Sequence, residues 1–218
     1  MLARYSTRFN AVEINSSFYR PHQRKTYQRW ADSVPSNFRF SVKAPRTVTH
    51  EKALVRCGPE LDRFVDEVGG LGAKLGGVLV QLPPSLAFDA RTANCFFSML
   101  RRRLSGEIAC EPRHSGWFTA VADPLWLRYG IARAAADPVR ATGADISCGG
   151  GTWRYTRLHG SPRMYYSQYE APALQGIANR ALDAGAAGLE PWVMFDNTAH
   201  YHSISDALAL RDMIRSSA

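Results

Sequence analysis

The sequence predicts an α/β fold in which parallel strands and helical crossovers form a TIM-type (β/α) barrel. The first observation is that apolar, β-rich segments alternate with amphipathic helical segments along the whole chain. The second is that the residues after the first strand, Asn15-Ser-Ser-Phe-Tyr-Arg20, form no glycine-rich phosphate turn, which an open doubly wound sheet should carry there. The third is that every strand ends in a polar or charged group, as barrel strands do at their catalytic face.

Seven strands are predicted, one fewer than a complete barrel requires. They cover residues 9–15, 38–43, 77–82, 107–111, 131–137, 153–159 and 191–197. In the first, Val12 and Ile14 alternate with Glu13 and Asn15, so the two polar side chains share one face. The third is almost continuously apolar, which is typical of a strand covered on both faces. Because one strand is missing, we expect an open seam with exposed strand edges.

Helical segments occupy most of the intervals between these strands. They cover residues 1–8, 23–32, 59–68, 89–104, 120–129, the second half of 169–184 and about 203–214. Asp89 is the predicted N-cap of the fourth segment. We expect a loop around Thr47, Thr49 and His50, and a flexible glycine-containing loop over residues 139–152.

The composition indicates an ordinary globular chain with a single domain over residues 1–218. Of its 218 residues, 45% are hydrophobic and 21% are charged. No segment approaches the ~20 continuous apolar residues of a membrane-spanning helix, and the first residues contain no apolar core of a secretory signal. The four cysteines are scattered, which favours a reduced, cytoplasmic protein over a disulfide framework or a zinc site.

The chain is basic, with a formal net charge of +8 and a pI of about 9.6. This charge favours encounter with anionic partners, including phosphorylated substrates or nucleic acid. The arginines are spread along the sequence, however, and the one run, Arg101-Arg102-Arg103, closes a predicted helix. At that position the run complements the helix dipole.

The strand ends supply the candidate site. In a barrel, all carboxyl ends of the strands face one pocket, where barrel enzymes keep their catalytic residues. The groups at these ends are Glu13 with Asn15, Lys43, Gln81, Glu111 with Arg113 and His114, Asp137, His159, and Asp196 with Asn197. We therefore predict a functional pocket that all seven strands build together.

Six motifs carry a family resemblance along nearly the whole chain. They are Val12-Glu-Ile-Asn-Ser-Ser-Phe-Tyr19, Phe40-Ser-Val-Lys-Ala-Pro-Arg-Thr-Val-Thr-His50, Val80-Gln-Leu-Pro-Pro84, Glu111-Pro-Arg-His-Ser-Gly-Trp117, Arg157-Leu-His-Gly160 and Asp196-Asn-Thr198. In these motifs the chain resembles the DUF72 (YecE-like) family. The resemblance implies a TIM-barrel-like fold and brings no established reaction.

The same resemblance accounts for the count of seven strands. Members of that family usually begin with a further strand that carries a Gly-Trp motif, whereas this sequence starts inside the helix that would follow it. A truncated gene model, a late start codon and a real seven-stranded variant all fit this difference.

Six residues are candidates for the chemistry: Glu13, Lys43, Glu111, His114, Asp137 and His159. Two carboxylates in one pocket can divide acid and base roles if their surroundings differ, although one of them can instead pair structurally with Lys43 or Arg113. Near carboxylates, the pKa of Lys43 is expected to stay high, which favours an electrostatic clamp over a Schiff-base lysine. Each histidine is an acid–base group or a hydrogen-bonded structural residue.

A second set is expected to bind substrate: Asn15, Tyr19, His50, Gln81, Arg113, Trp117, Arg157 and Asn197. Arg113 suits bidentate binding of a carboxylate or phosphate. No cofactor is identified. Glu13, Glu111, Asp137, His114 and His159 offer oxygen and nitrogen ligands for a divalent metal, but Lys43 and Arg113 already bring positive charge, so no metal site is assigned.

The leading hypothesis is an acid–base enzyme, either a hydrolase, an isomerase or a lyase. Its substrate would be small and anionic, such as a sugar phosphate or a nucleotide-derived compound. The first alternative is a nucleic-acid-binding or metal-dependent phosphodiester-processing protein, which the net charge motivates. The second is a barrel that binds a ligand without turnover. The oligomeric state is left open.

Overall fold

The computed structural model of the chain describes residues 2–139 and 141–217. Nine strands lie in this part of the chain. They are β1 (Ala11–Ile14), β2 (Arg39–Lys43), β3 (Leu75–Gln81), β4 (Glu107–Glu111), β5 (Ile131–Arg133), β6 (Ala135–Asp137), β7 (Cys148–Gly149), β8 (Trp153–Leu158) and β9 (Glu190–Phe195).

Helices connect most consecutive strands, as the sequence predicted. They are α1 (Leu2–Tyr5), α2 (Arg24–Asp32), α3 (Gly58–Val68), α4 (Ala90–Arg101), α5 (Asp123–Arg128), α6 (Ala171–Ala186) and α7 (His202–Ser217). The predicted N-cap of α4 is confirmed, because the Asp89 carboxylate accepts a hydrogen bond from the Thr92 backbone N–H at 2.8 Å.

The strands form two sheets. One has six strands in the order β1-β2-β3-β4-β5-β7, and the other has three in the order β6-β8-β9. Every neighbouring pair is parallel except β5 and β7. The mixed α/β fold with parallel strands is therefore confirmed, but the strands do not form one closed sheet.

The predicted strand over residues 131–137 divides between the two sheets. Its first half, β5, pairs with β4, whereas its second half, β6, pairs with β8. Between the halves, the Ala134 backbone N–H still donates to the Cys110 carbonyl at 2.7 Å. The chain therefore passes directly from the first sheet to the second within this segment.

Two expected loops contain regular structure instead. The segment with Thr47, Thr49 and His50 forms one turn of π-helix, Thr47–Glu51. Within the expected loop over residues 139–152, β7 pairs antiparallel with β5. Both elements are too short to leave a period in the sequence, so hydrophobic patterning gave no sign of them.

A groove of about 930 Å³ separates the edges of β1 and β9. Ala11, Val12 and Glu13 line one side, and residues 190–195 line the other. Within the described residues, β1 pairs only with β2 and β9 only with β8. Two unpaired edges of parallel strands thus border the groove, as the missing strand led us to expect.

A layer of aromatic rings packs between strands of the two sheets. The rings of Trp153 and Trp192 lie 4.5 Å apart between centroids, and the tilted ring of Tyr155 lies 5.2 Å from that of Trp153. Gly76 and Gly77 on β3 leave the space that the two indoles occupy, since a Cβ on either would lie 2.7 Å or less from an indole atom. This layer supports the side chains at the strand ends.

The described helices contain none that combines the length and the hydropathy needed to cross a bilayer.

Candidate functional site

The carboxyl ends of the parallel strands gather a cluster of charged side chains. Parallel strands end at the same edge of a sheet, so residues at equivalent positions on different strands meet there. The cluster consists of Glu13 on β1, Lys43 on β2, Gln81 on β3, Glu111 on β4, Arg113 after β4, Arg157 on β8, His159 after β8 and Asp196 after β9. We call these eight residues the charge cluster.

Arg157 lies at the centre of the charge cluster and is fully buried. Its guanidinium binds Glu13 through two hydrogen bonds, of 2.7 and 2.9 Å, and donates to Glu111 at 2.7 Å. A weaker contact of 3.3 Å reaches Asp196. Burial alone would lower the pKa of Arg157, but the three carboxylates outweigh it and raise the pKa well above its usual value.

Glu111 is fully buried and accepts hydrogen bonds from three side chains. The donors are Arg157 at 2.7 Å, Arg113 at 2.8 Å and Gln81 at 2.9 Å. Burial raises the pKa of Glu111, but the charges of Arg157 and Arg113 and its contact with His159 hold the pKa well below the usual range. Glu111 is therefore an ionised acceptor that orients its neighbours, rather than a proton donor.

His159 and Asp196 form a buried hydrogen-bonded pair. Nδ1 of His159 donates to the Asp196 carboxylate at 3.0 Å, and Nε2 lies 3.6 Å from Glu111. Burial lowers the pKa of His159, but the hydrogen bonds with Asp196 and Glu111 outweigh it and raise the pKa. Conversely, the pKa of Asp196 is lowered against its burial by His159 and Arg157. This pair has the geometry of an oriented acid–base histidine.

Lys43 lies at the end of β2 with 4% of its surface exposed. Its Nζ lies 4.0 Å above the centre of the Phe18 ring. Burial and the charge of Arg157 lower the pKa of Lys43 to about 8, although Glu13 and Glu111 oppose this shift. The expectation that nearby carboxylates keep this pKa high was wrong, because Arg157 already neutralises those carboxylates.

Arg113 engages Glu111 through Nε alone, at 2.8 Å, and its side chain is 16% exposed. No oxygen in the described residues accepts a hydrogen bond from its two terminal amino groups, nor from Nζ of Lys43. The ring of His50 lies 4.9 Å from that of Phe18, over which Lys43 also stands, and burial and then the charges of Lys43, Arg113 and Arg46 lower the pKa of His50. Within the described residues, Lys43 and Arg113 therefore keep free cationic donors.

Three other predicted residues, His114, Trp117 and Asp137, have contacts outside the charge cluster. His114 accepts a hydrogen bond from the Gly116 backbone N–H at 3.0 Å and caps a short 3₁₀ turn. Trp117 is buried and donates to the Leu86 carbonyl at 2.8 Å. Asp137 accepts from the Tyr169 hydroxyl at 2.7 Å.

Asn197 is fully buried, and its amide donates to Asp206 at 2.7 Å and to the Ser167 carbonyl at 3.0 Å. Tyr19 is 69% exposed and contacts the ring of Phe18. Asn15 lies beside Glu13 and lines the groove. These residues support or surround the charge cluster without sharing its hydrogen bonds.

Sequence reasoning missed Asp196, which belongs to the charge cluster, and Tyr155, which contacts it. Asp196 was recognised at a strand end, but only its neighbour was selected as a site residue. The Tyr155 hydroxyl donates to Glu13 at 2.9 Å and accepts from the Ser41 hydroxyl at 2.8 Å. Two-residue alternation along β8 places Tyr155 on the same face as Arg157, and this signal was present in the sequence.

Three of the five residues considered as metal ligands, Glu13, Glu111 and His159, lie in the charge cluster, but they surround Arg157. Glu13 and Glu111 bind Arg157, while His114 and Asp137 are engaged elsewhere. Across residues 2–139 and 141–217, no group of three or more His, Cys, Asp and Glu side chains is arranged to hold a metal ion.

The fold and this cluster define a class: an α/β protein with charged residues at the carboxyl ends of parallel strands. Within that class, the model for the family described as "Protein of unknown function DUF72" matches residues 1–218. The chain belongs to the DUF72 family. This confirms the resemblance that the six motifs carried.

Two curated relatives agree with this assignment. The chain is 28% identical to the UPF0759 protein YecE of Escherichia coli O157:H7 over 140 residues, which are 63% of this chain and 50% of YecE. It is 29% identical to the UPF0759 protein YunF of Bacillus subtilis over 126 residues, which are 54% of this chain and 44% of YunF. The chain thus spans about half the length of the curated relatives it matches.

Solved structures share the fold. A DUF72 family protein from Enterococcus faecalis V583 superposes with a TM-score of 0.85 at 17% identity, over 99% of this chain and 93% of that one. Another, from Thermotoga maritima MSB8, gives a TM-score of 0.81 at 21% identity, over 95% of this chain and 85% of that one.

Proposed function

We propose that the chain is an acid–base enzyme that acts on a small anionic substrate at the carboxyl ends of its strands. The observation that carries this proposal is the excess of positive charge in the charge cluster. The charge cluster contains four side chains that can be cationic, Lys43, Arg113, Arg157 and His159. It contains three carboxylates, Glu13, Glu111 and Asp196. Two of the cations, Lys43 and Arg113, have donors that no described residue uses.

The free amino groups of Arg113 would bind a phosphate or carboxylate in bidentate fashion. His159, oriented by Asp196, would transfer the proton, because its hydrogen bonds with Asp196 and Glu111 raise its pKa and so favour the imidazolium. Glu111 and Arg157 would hold these groups in place. This division of roles suits hydrolysis, isomerisation or lyase-type cleavage of a sugar phosphate or nucleotide-derived compound.

We also propose that the two sheets are parts of one (β/α) barrel that is open between β1 and β9. The strand order supports this proposal, since it runs from β1 to β5 and continues through Ala134 into β6, β8 and β9. The groove between the two terminal edges adjoins Glu13 and Asp196. One further parallel strand in the groove would give the eight of a complete barrel.

Binding of inorganic phosphate, measured by calorimetry, tests the anion site. We expect saturable binding that Arg113→Gln weakens by about 1.5–3 kcal/mol, roughly tenfold to a hundredfold, the range for a hydrogen bond to a charged group. Arg24→Gln is the matched control, because Arg24 pairs with Asp66 in an exposed ion pair. Equal affinities for the two variants would contradict the assignment of Arg113.

Turnover tests the enzymatic role. A library of phosphorylated and carboxylated metabolites is incubated with the protein, and any substrate found is then offered to His159→Gln. We expect at least a hundredfold loss of kcat in that variant, in line with a general acid–base contribution of roughly 10²–10⁴, with unchanged far-ultraviolet circular dichroism. Phosphate binding without turnover of any compound would favour the non-catalytic, ligand-binding alternative.

A further inference from the structure

Lys43 is the least neutralised cation in the charge cluster. Within the part of the chain that the structure describes, no carboxylate lies within 4.0 Å of its Nζ and no oxygen accepts a hydrogen bond from it. The surrounding carboxylates are committed to other cations, since Glu13 and Glu111 bind Arg157 and Asp196 binds His159. Nζ of Lys43 lies 4.0 Å above the centre of the Phe18 ring, an apolar face that takes no proton from the amine.

Lysine is rare in this chain. Of 27 basic Lys and Arg residues, only four are lysines: Lys25, Lys43, Lys52 and Lys74. Lys52 forms an exposed ion pair with Glu60 at 2.6 Å, and Lys74 donates to the carbonyls of Ala31 and Val34. In the charge cluster, the other positive charges come from two arginines, Arg113 and Arg157, and from His159 when it is protonated. Position 43 therefore carries the one aliphatic amine among them, and an amine, unlike a guanidinium, can lose its proton and attack carbon.

We propose that Lys43 is a covalent catalytic residue that forms an imine with the carbonyl carbon of a small anionic aldehyde or ketone. This inference rests on the proposed function, because the same cluster must bind the anionic group. The neutral amine attacks the carbonyl carbon, and a proton moves from nitrogen to oxygen to give a carbinolamine. The hydroxyl group then leaves as water with a proton from His159, and the nitrogen lone pair forms the iminium.

The surroundings of Lys43 favour each part of this step. Burial and the charge of Arg157 lower the pKa of the amine to about 8, so that a neutral fraction exists at physiological pH. The apolar Phe18 ring covers the amine without accepting a proton. Arg113 and Arg157 raise the positive potential near the carbonyl oxygen, on which negative charge develops during the attack.

Reductive trapping tests the imine directly. The folded protein is incubated at pH 7 with glyceraldehyde 3-phosphate and cyanoborohydride, and the adducts are located by peptide mass spectrometry. We expect one adduct, on Lys43, at a rate at least tenfold above those of Lys25 and Lys52. The rate on Lys43 should rise with pH and reach half its maximum near pH 8, where the amine loses its proton.

Lys43→Arg is the matched variant, since it retains the positive charge and removes the nucleophile. It should bind inorganic phosphate within threefold of the parent chain and lose the adduct. Adducts on Lys25 and Lys52 with none on Lys43, or no adduct at all while phosphate still binds, would overturn the covalent role and leave the anion site standing. Equal labelling of Lys43 by unphosphorylated glyceraldehyde would uphold the imine and overturn the anionic substrate.

Discussion

At the scale of residues, Arg157 determines how the charge cluster holds together. Its guanidinium neutralises two buried carboxylates at once, Glu13 and Glu111, through hydrogen bonds of 2.7–2.9 Å. A buried charge that keeps its partner is tolerated, whereas one that loses it must pay its full desolvation. The cluster is therefore sensitive to removal of Arg157. Within the described residues, Nζ of Lys43 and the terminal amino groups of Arg113 keep free donors, while Nε of Arg113 binds Glu111.

Arg157→Met should lower the free energy of unfolding by about 3–5 kcal/mol, because Glu13 would remain buried without its cationic partner and Glu111 would keep only Arg113. Urea denaturation at pH 7, fitted with a common m-value, measures this loss. The control is Arg24→Met, whose ion pair has side chains 56% and 71% exposed and should cost no more than about 1 kcal/mol. Losses of equal size in the two variants would show that the buried pairs contribute no more than surface ones.

The sequence predicted which residues stand at strand ends, and six of the eight members of the charge cluster were selected in this way. Arg157 was selected from the Arg157-Leu-His-Gly160 motif, and Asp196 was recognised at a strand end without being selected. The sequence did not predict their pairing. Arg157 was expected to bind substrate, yet its register on β8 places it between two carboxylates from other strands. The pKa of Lys43 depends on that same pairing, so the error about Lys43 followed from the error about Arg157.

At the scale of elements, β3 is shaped by its pair of glycines. Gly76 and Gly77 stand where strands β2, β4, β8 and β9 bring backbone and indole rings close together. A Cβ on Gly77 would overlap the Glu107 carbonyl oxygen and lie 2.6 Å from the Trp153 ring. The almost continuously apolar sequence of β3 predicted a strand covered on both faces. It did not predict that the indole rings of Trp153 and Trp192 would cover it.

Gly77→Ala should destabilise the fold by ~1–3 kcal/mol or more, since the backbone of β4 cannot move without breaking its ladder. Gly176→Ala is the contrasting substitution, because Gly176 lies within α6 and its Cβ would make only an ordinary contact of 3.7 Å. It should stabilise by roughly 0.5–1 kcal/mol, as alanine restricts the unfolded chain. Melting temperatures that fall equally in both variants would refute the packing role of Gly77.

At the scale of the whole molecule, the groove between β1 and β9 is where the strand order ends. Alternation of strands and helices predicted the parallel order and the count of seven main strands. The division of the fifth strand between two sheets could not be predicted, because it depends on which neighbouring strand each half pairs with, β4 for β5 and β8 for β6. The composition likewise predicted the net charge, but not where the charged side chains lie in the structure.

The two strands that border the groove should exchange their backbone amides faster than the central strands do. β3 and β4 have paired neighbours on both sides, whereas β1 and β9 each have one among the described residues. Opening an edge strand breaks one ladder rather than two, so its local unfolding free energy is lower. Hydrogen–deuterium exchange with peptide-level mass spectrometry should therefore give at least tenfold faster uptake in residues 190–195 than in residues 75–81. Equal protection of both segments would mean that another chain covers the groove in solution, since a strand added there would pair both edges.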